Sequence, residues 1–499
     1  MRCWKRTILT LIITIIILAI TGNRALQAQE MWGIVTSNYA GSNSTLINPA
    51  FLVNSKLYQD INIITGDIFF ENNAFNINKS DFRPLEFIGP DATFPSYGED
   101  GYIMDIYDNK DLKFAFVNLH LRGPSFMQVR GDHAFAVHTA FRSVTDNRSL
   151  PYEMVNFAYY SLDYTPQHNI NYKDKDIKIA NLQWAEFGVT YSGVIHKYGL
   201  NRYTVGATLK GLMGAAAGYF VGREADYIVL NDSTINFRNL DATVGYALPV
   251  DYSTNDYPQG PLFKGWGVSV DLGFSYTRTK MGHQNRKFTE LCQQTYPDYL
   301  YKIGVSVIDL GTVSFGKNAQ KHEYVNVSAF WEEIDTLSFD NIDQIARLAS
   351  EKFYGDPEAS LADNRISLFT PAAFSFQFDY QVIPDWYVNA SLVLPITLGP
   401  NNIQRPTQIA VVPRYESRLF EFSMPISLYE MRYPRIGLAA RIGFLTLGTD
   451  KLGGFLPLSD FTGMDFYFSL KFNFPKGVCG RFKRSIGCQN NEYGVSRDR

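Results

Sequence analysis

Cysteine and long apolar runs are both scarce in this 499-residue chain: there are four cysteines, one of them in the first three residues. The three left after removal of a leader are too few to staple a chain of this length. The single apolar run, Ile8 to Ile20, is shorter than the ~20 residues a helix needs to cross a bilayer, and no second candidate follows. That excludes a helical membrane bundle. An excess of one charge is missing too. The formal net charge is −3 and no basic patch could attract a phosphate backbone, which argues against nucleic acid as a partner. Only seven histidines occur, without a histidine–glutamate zinc motif, and no internal repeat is evident.

What is present begins with an export signal. Arg2, Lys5 and Arg6 precede the apolar run, and Ala25 to Ala28 supply small residues for cleavage, so residues 1–28 read as a signal peptide. Cleavage after Ala28 places Leu26 at the minus-three position, which leaves cleavage after Ala25 open. Aromatics are abundant, with 37 Phe and 31 Tyr, while the mean hydropathy is slightly negative. Outer-membrane barrels combine these traits, because aromatic girdles meet both interfaces while every second strand residue faces a wet lumen.

Strict period-two alternation recurs along the chain. In 464–474, Met464, Phe466, Phe468, Leu470, Phe472 and Phe474 share one face, and Asp465, Tyr467, Ser469, Lys471 and Asn473 the other. In 268–277, Val268, Val270, Leu272, Phe274 and Tyr276 oppose Ser269, Asp271, Gly273, Ser275 and Thr277. Candidate strands are 58–66, 112–121, 133–142, 153–161, 182–194, 202–213, 266–277, 299–309, 372–380, 386–394, 407–414, 418–427, 435–446 and 463–474. The weakest is 153–161, and 112–121 can continue past Pro124 to Val129. The expected fold is all-β: a transmembrane antiparallel barrel of about fourteen strands, twelve being the alternative, since such barrels have even counts. A soluble sandwich would alternate over shorter strands.

Short turns at Gly131-Asp132, Lys197 to Asn201, Pro384-Asp385 and Tyr415 to Ser417 should be periplasmic, and the long connections 67–111, 222–265 and 310–371 mostly external. The last should carry a helix over a barrel mouth, capped by Ser338 or Asp340, with Ile342, Ile345, Ala346, Ala349 and Phe353 on one face. The expected organisation is signal peptide 1–28, amino-terminal segment 29–57, barrel 58–474 with its 310–371 insertion, and a basic periplasmic tail 475–499.

Charged residues on polar strand faces, Lys210, Asp271, Asp379, Glu421, Arg441, Asp465 and Lys471, should point into the lumen. There they form either a selectivity surface or a rigidifying ion-pair network. His133 and His138, with Ser143 nearby, are separated by an odd step that puts the two histidines on opposite faces, so a Ser/His hydrolase site is not expected. The acidic stretch Glu99, Asp100, Asp105, Asp108 and Asp111 lacks the spacing of a calcium loop. Neither enzyme activity, metal nor cofactor is expected. In the tail, Cys479 and Cys488 could form a disulfide around Arg481, Lys483 and Arg484.

Near the start the chain reads Ser37-Asn38-Tyr39-Ala40-Gly41 and then Leu46-Ile47-Asn48-Pro49-Ala50. This resembles the amino-terminal segment of the long-chain fatty-acid transporter family of outer-membrane barrels and of barrels in the type IX secretion and gliding machinery. Gly304 to Gly311 and Phe461 to Phe468 extend a second resemblance, to an outer-membrane family of unknown function in the same group. By itself Asn48-Pro49-Ala50 is a tight turn, capped by Asn with φ fixed by Pro. The resemblance implies that Asn38, Tyr39, Gly41, Asn48, Pro49 and Ala50 belong to a plug or gate in the lumen. Two functions are in play: a channel or transporter for a small apolar solute, and a structural or assembly component that docks envelope or secretion proteins. Both place the chain among outer-membrane lipids.

Overall fold

A computed structural model describes residues 30–80, 104–257, 260–280, 298–334, 341–456 and 459–474. The expected signal peptide, the basic tail with its expected disulfide and all four cysteines lie outside them.

Fourteen antiparallel strands close into a barrel. They are β1 (Gln59–Asn72), β2 (Lys113–Arg130), β3 (His133–Leu150), β4 (Asn171–Tyr198), β5 (Asn201–Asn231), β6 (Gly265–Thr279), β7 (Tyr299–Phe315), β8 (Ala373–Ile383), β9 (Trp386–Pro395), β10 (Gln408–Glu416), β11 (420–429), β12 (433–442), β13 (Leu445–Thr449) and β14 (Gly463–Phe474). Each pairs with its sequence neighbour, and β1 also pairs with β14, with Ile61 opposite Phe472 and Asp67 opposite Tyr467. Closure leaves no open edge of unpaired backbone groups on the ring. Pro425 removes a ladder donor inside β11, and Gly437 of β12 bridges the gap by donating its N–H to the Pro425 carbonyl at 2.7 Å.

The alternation is realised as an outer and an inner wall. On β6, Val268, Leu272 and Phe274 are exposed on the outside, while Ser269, Asp271 and Ser275 are buried inside. On β14, Phe466 and Phe472 face out and Asp465, Tyr467, Ser469 and Lys471 face in. At the end where short turns join the strands, outward rings touch from strand to strand. Tyr203 lies 5.2 Å from Tyr276, Tyr276 5.9 Å from Tyr301, and Tyr301 6.3 Å from Phe378. Trp386, Tyr415 and Phe420 continue the series. Aromatic belts of this kind occur where membrane-spanning barrels meet an interface. No described helix is long and apolar enough to cross a membrane, which does not bear on strands.

The strand number conceals two differences from the sequence reading. Residues 153–161 are not a strand: Pro151 ends β3 and caps the helix Tyr152–Tyr160, whose Val155 and Asn156 are buried. The expected strand 435–446 is a hairpin, turning at Gly443 (φ 61°) so that Ile442 of β12 faces Leu445 of β13. A two-residue turn hardly disturbs the apolar periodicity, which hid it.

At the opposite, loop-bearing end the sheet grows beyond the ring. The outer half of β5 pairs with Thr234–Ala247, which pairs with Ala319–Trp331, which pairs with Leu361–Asp363. The sequence reading had these as loops. Both longer strands carry register shifts, at Asn326 (φ 50°) among others, and bulges break the period-two signal. The helix Ile342–Tyr354 is present, capped by Asn341, whose side chain accepts the Gln344 N–H at 2.9 Å. It packs on this outer sheet rather than over the mouth. Phe353 meets Phe237, Tyr324 and Trp331 with ring centroids 5.3–6.1 Å apart, while Ile345 is exposed.

Candidate functional site

Residues 30–58 run inside the ring and fill its turn-bearing half. The segment is short on charge and rich in Ser and Asn, so it makes short, compact helices: Trp32–Val35, then the 3-10 helices Gly41–Leu46 and Pro49–Asn54. Asn48 initiates the last turn, its Oδ1 accepting the Ala50 N–H at 2.9 Å, with Pro49 at the first helical position. The segment closes on itself where the Lys56 N–H donates to the Asn38 carbonyl at 2.9 Å.

Polar contacts hold it from almost every side. The Trp32 indole donates to Gln408 Oε1 at 2.8 Å, and its backbone N–H to Asp450 at 3.0 Å. Ser37 donates to Glu421 at 2.8 Å. Asn38 donates its backbone N–H to Glu416 at 2.9 Å and its Nδ2 to the Tyr299 hydroxyl at 2.8 Å. Arg441 lies over the Tyr39 ring, 4.8 Å from its centroid, and Lys471 donates to the carbonyls of Tyr39 and Ala40. Gly41 adopts φ 59° against Asp60, where a Cβ would stand 2.3 Å from the carboxylate, and that carboxylate accepts the Ser42 N–H. Asn48 Nδ2 donates to Gln377 Oε1 at 3.0 Å, and Ser192 donates to the Ala50 carbonyl at 3.2 Å. Lys56 pairs with Glu416 at 3.0 Å.

The inner-face charges gather into separate clusters. Lys210 pairs with Asp271 at 2.8 Å and with Asp309 at 2.6 Å, and Asp309 also takes Arg142 at 2.9 Å and Arg405. Arg405 reaches back to Glu30 of the segment at 2.8 Å. Asp379 pairs with Arg414 at 2.7 Å and Lys302 at 3.6 Å, and Arg414 also holds Glu416 at 2.7 Å. Glu421 pairs with Arg441 at 3.1 Å, and Lys471 with Asp60 at 3.8 Å. Asp465 accepts the Asp450 N–H, and Asp450 accepts the Tyr467 hydroxyl at 2.8 Å.

Asp309, Arg142, Arg405, Arg414 and Glu416 were not singled out from sequence. Asp309 sits at a break in the β7 pairing with φ 54°, which turns its carboxylate inward against the alternation. Arg142 ends an expected strand that continues eight residues further, to Leu150, and Glu416 was assigned to a turn. Arg405 lies in a loop and carried no signal. His133 and His138 do lie on opposite faces: the first meets the outward Tyr191 hydroxyl at 2.8 Å, the second Glu186 in the lumen at 3.5 Å. Asp108 accepts the Tyr152 hydroxyl and Asp111 pairs with Arg432, so these acids have partners within the loops.

Above this layer an apolar cluster shares the lumen with further buried ion pairs, Glu71 with Arg435 and Lys451, and Asp146 with Arg148. Phe69, Phe116, Val144, Trp184, Leu212 and Phe315 belong to one buried cluster in the loop-bearing half. At the junction lies a void of about 30 Å³, edged by Met31, Leu46, Phe116 and Val144 on one side and by Glu30, Arg142 and Arg405 on the other. It has room for about a water molecule.

Among solved structures the chain is similar to the toluene transporter TbuX of Ralstonia pickettii, at 8% identity over 90% of this chain and 99% of that one, with a TM-score of 0.40. It is similar to the toluene transporter TodX of Pseudomonas putida at 10% identity, 90% and 100% coverage and a TM-score of 0.40. A FadL homologue of Pseudomonas aeruginosa aligns at 8% identity, 90% and 99% coverage and a TM-score of 0.27. No curated protein matches the sequence. A family model, by contrast, spans residues 49–450, and the chain belongs to that family, DUF5723, a family of unknown function.

Proposed function

We propose that this protein is an outer-membrane barrel whose amino-terminal segment is the closing element of a passage for a small apolar solute. The carrying observation is how the lumen is filled. Eight strands make a ring that side chains alone can fill, and diameter grows with strand number. Here a ring of fourteen is occupied by a separate stretch of chain, held by hydrogen bonds and ion pairs. Such contacts carry little net free energy once both partners reach water, so the segment can leave as a unit without unfolding the wall. The apolar cluster of the loop-bearing half supports an apolar cargo. In this reading the short turns are periplasmic and the loops external.

The filled lumen favours a second reading as well: a closed barrel that serves assembly through its outer sheet. Conductance of the purified barrel in planar bilayers separates the two. The intact chain should be nearly silent, and removal of residues 31–50 should raise conductance at least tenfold. Equal conductance of the two, together with recovery of a stoichiometric protein partner and no bound lipid, would favour assembly.

A further inference from the structure

Glycine inside a strand contributes no packing and weakens it, and in a membrane wall it often marks a place where another backbone comes close. Gly206 of β5, Gly273 of β6 and Gly304 of β7 lie on consecutive strands of the ring, and Gly206 and Gly273 are direct register partners. A Cβ on Gly206 would stand 2.4 Å from the Pro49 carbonyl carbon and 2.5 Å from the Ala50 nitrogen. On Gly273 it would stand 2.1 Å from Asn48 Oδ1 and 3.0 Å from Pro49 Cδ. On Gly304 it would meet Gln377 Oε1 at 2.4 Å, Phe51 Cζ at 2.5 Å and Asn48 Nδ2 at 2.8 Å. Gly211, five residues beyond Gly206 on the same strand, would meet nothing within 4 Å.

Hydroxyls rim the same spot. Ser192 and Thr204 donate to the Ala50 carbonyl at 3.2 and 3.4 Å, Ser306 donates to the Ile47 carbonyl at 2.5 Å, and Asn54 donates to Ser275 at 3.0 Å. We propose that Gly206, Gly273 and Gly304 form a recess in the lumen wall that receives the Asn48-Pro49-Ala50 turn and sets the depth of the whole segment. They are positioning residues. Interiors are packed too closely to absorb an added carbon without a shift. The cost is graded by what must move: the backbone of the turn at Gly206, the capping side chain at Gly273, and mostly side-chain ends at Gly304. The docking stands independently of the gate, and only its consequence for permeation rests on the function proposed above.

The test is a disulfide between Asn54→Cys and Ser275→Cys, with the native cysteines replaced by serine, formed in the full-length protein in lipid. Heat-dependent electrophoretic mobility reports the folded barrel. Gly206→Ala and Gly273→Ala should each lower the cross-link at least fivefold, Gly304→Ala less, and Gly211→Ala not at all. Folded Gly206→Ala and Gly273→Ala barrels that cross-link within twofold of the parent overturn the recess. Should Gly206→Ala not fold, Gly273→Ala is compared with its parent in an Asn48→Ala background, where the oxygen that the added carbon meets is gone, and it should lower the cross-link much less than in the native background. An equal drop in both backgrounds overturns the proposal. Loss of the cross-link with no rise in conductance supports the recess and sinks the gate.

Discussion

The two halves of the lumen are filled by different chemistry. Toward the short turns, buried charges and amides surround an inserted segment, and nearly every contact has a named donor and acceptor. Toward the loops, Phe69, Phe116, Trp184, Leu212 and Phe315 interdigitate around a few wall-to-wall ion pairs such as Glu71 with Arg435 and Lys451, and the wall itself rises into an outer sheet. Apolar burial contributes roughly 25 cal/mol per Å² and cares little about register. A buried ion pair contributes little net stability but is costly to leave half-made. The turn-bearing half is therefore built to hold one segment in one position, and the loop-bearing half to stay together whatever that segment does.

The largest effect that would break this contrast lies at Arg414, fully buried between Asp379 and Glu416. Arg414→Leu takes the shared cation from two buried carboxylates, leaving Asp379 with Lys302 at 3.6 Å and Glu416, which also holds Asn38, with Lys56 at 3.0 Å. Loss of about 3–5 kcal/mol is expected in denaturant unfolding from lipid. A loss under about 1 kcal/mol would mean that these charges are wet and that the polar half positions nothing. Next is Phe353→Ala on the outer sheet, which removes three ring contacts from a half-buried side chain. Local opening of the helix should become easier by about 2 kcal/mol, read as faster proteolysis near 341–355, with lumen cross-links unchanged. A change in the lumen would show that the two halves are coupled.

The same contrast governs what could be read from sequence. An apolar outer face and a polar inner face impose a period of two, so β6 and β14 are legible residue by residue, and the parity of Lys210 and Asp271 with them. The sheet beyond the ring is not held to that period and carries bulges, so Thr234–Ala247 and Ala319–Trp331 read as loop. The aromatic run 153–161 imitated a strand, though Pro151 was in view as a breaker. Inner charges could be assigned to a face but not to a partner. Asp309 needed a bulge, Glu416 a strand end and Arg405 a loop, and none of these has a periodic signature.

The smallest effect sharpens the comparison, because it concerns a single hydrogen bond in water. Asn341 caps the helix Ile342–Tyr354 with its side chain on the Gln344 N–H, and Gly355 ends it at φ 75°. Asn341→Ala should cost about 1 kcal/mol, the usual worth of such a cap. It should appear as faster amide hydrogen exchange in the first turn, from Ile342 to Ile345. Phe353, three turns away and packed half-buried against rings, should keep the rest of the helix docked. If the whole helix instead exchanges as one, its attachment rests on the cap rather than on the aromatic contacts, and the loop-bearing half is less firmly built than its packing indicates.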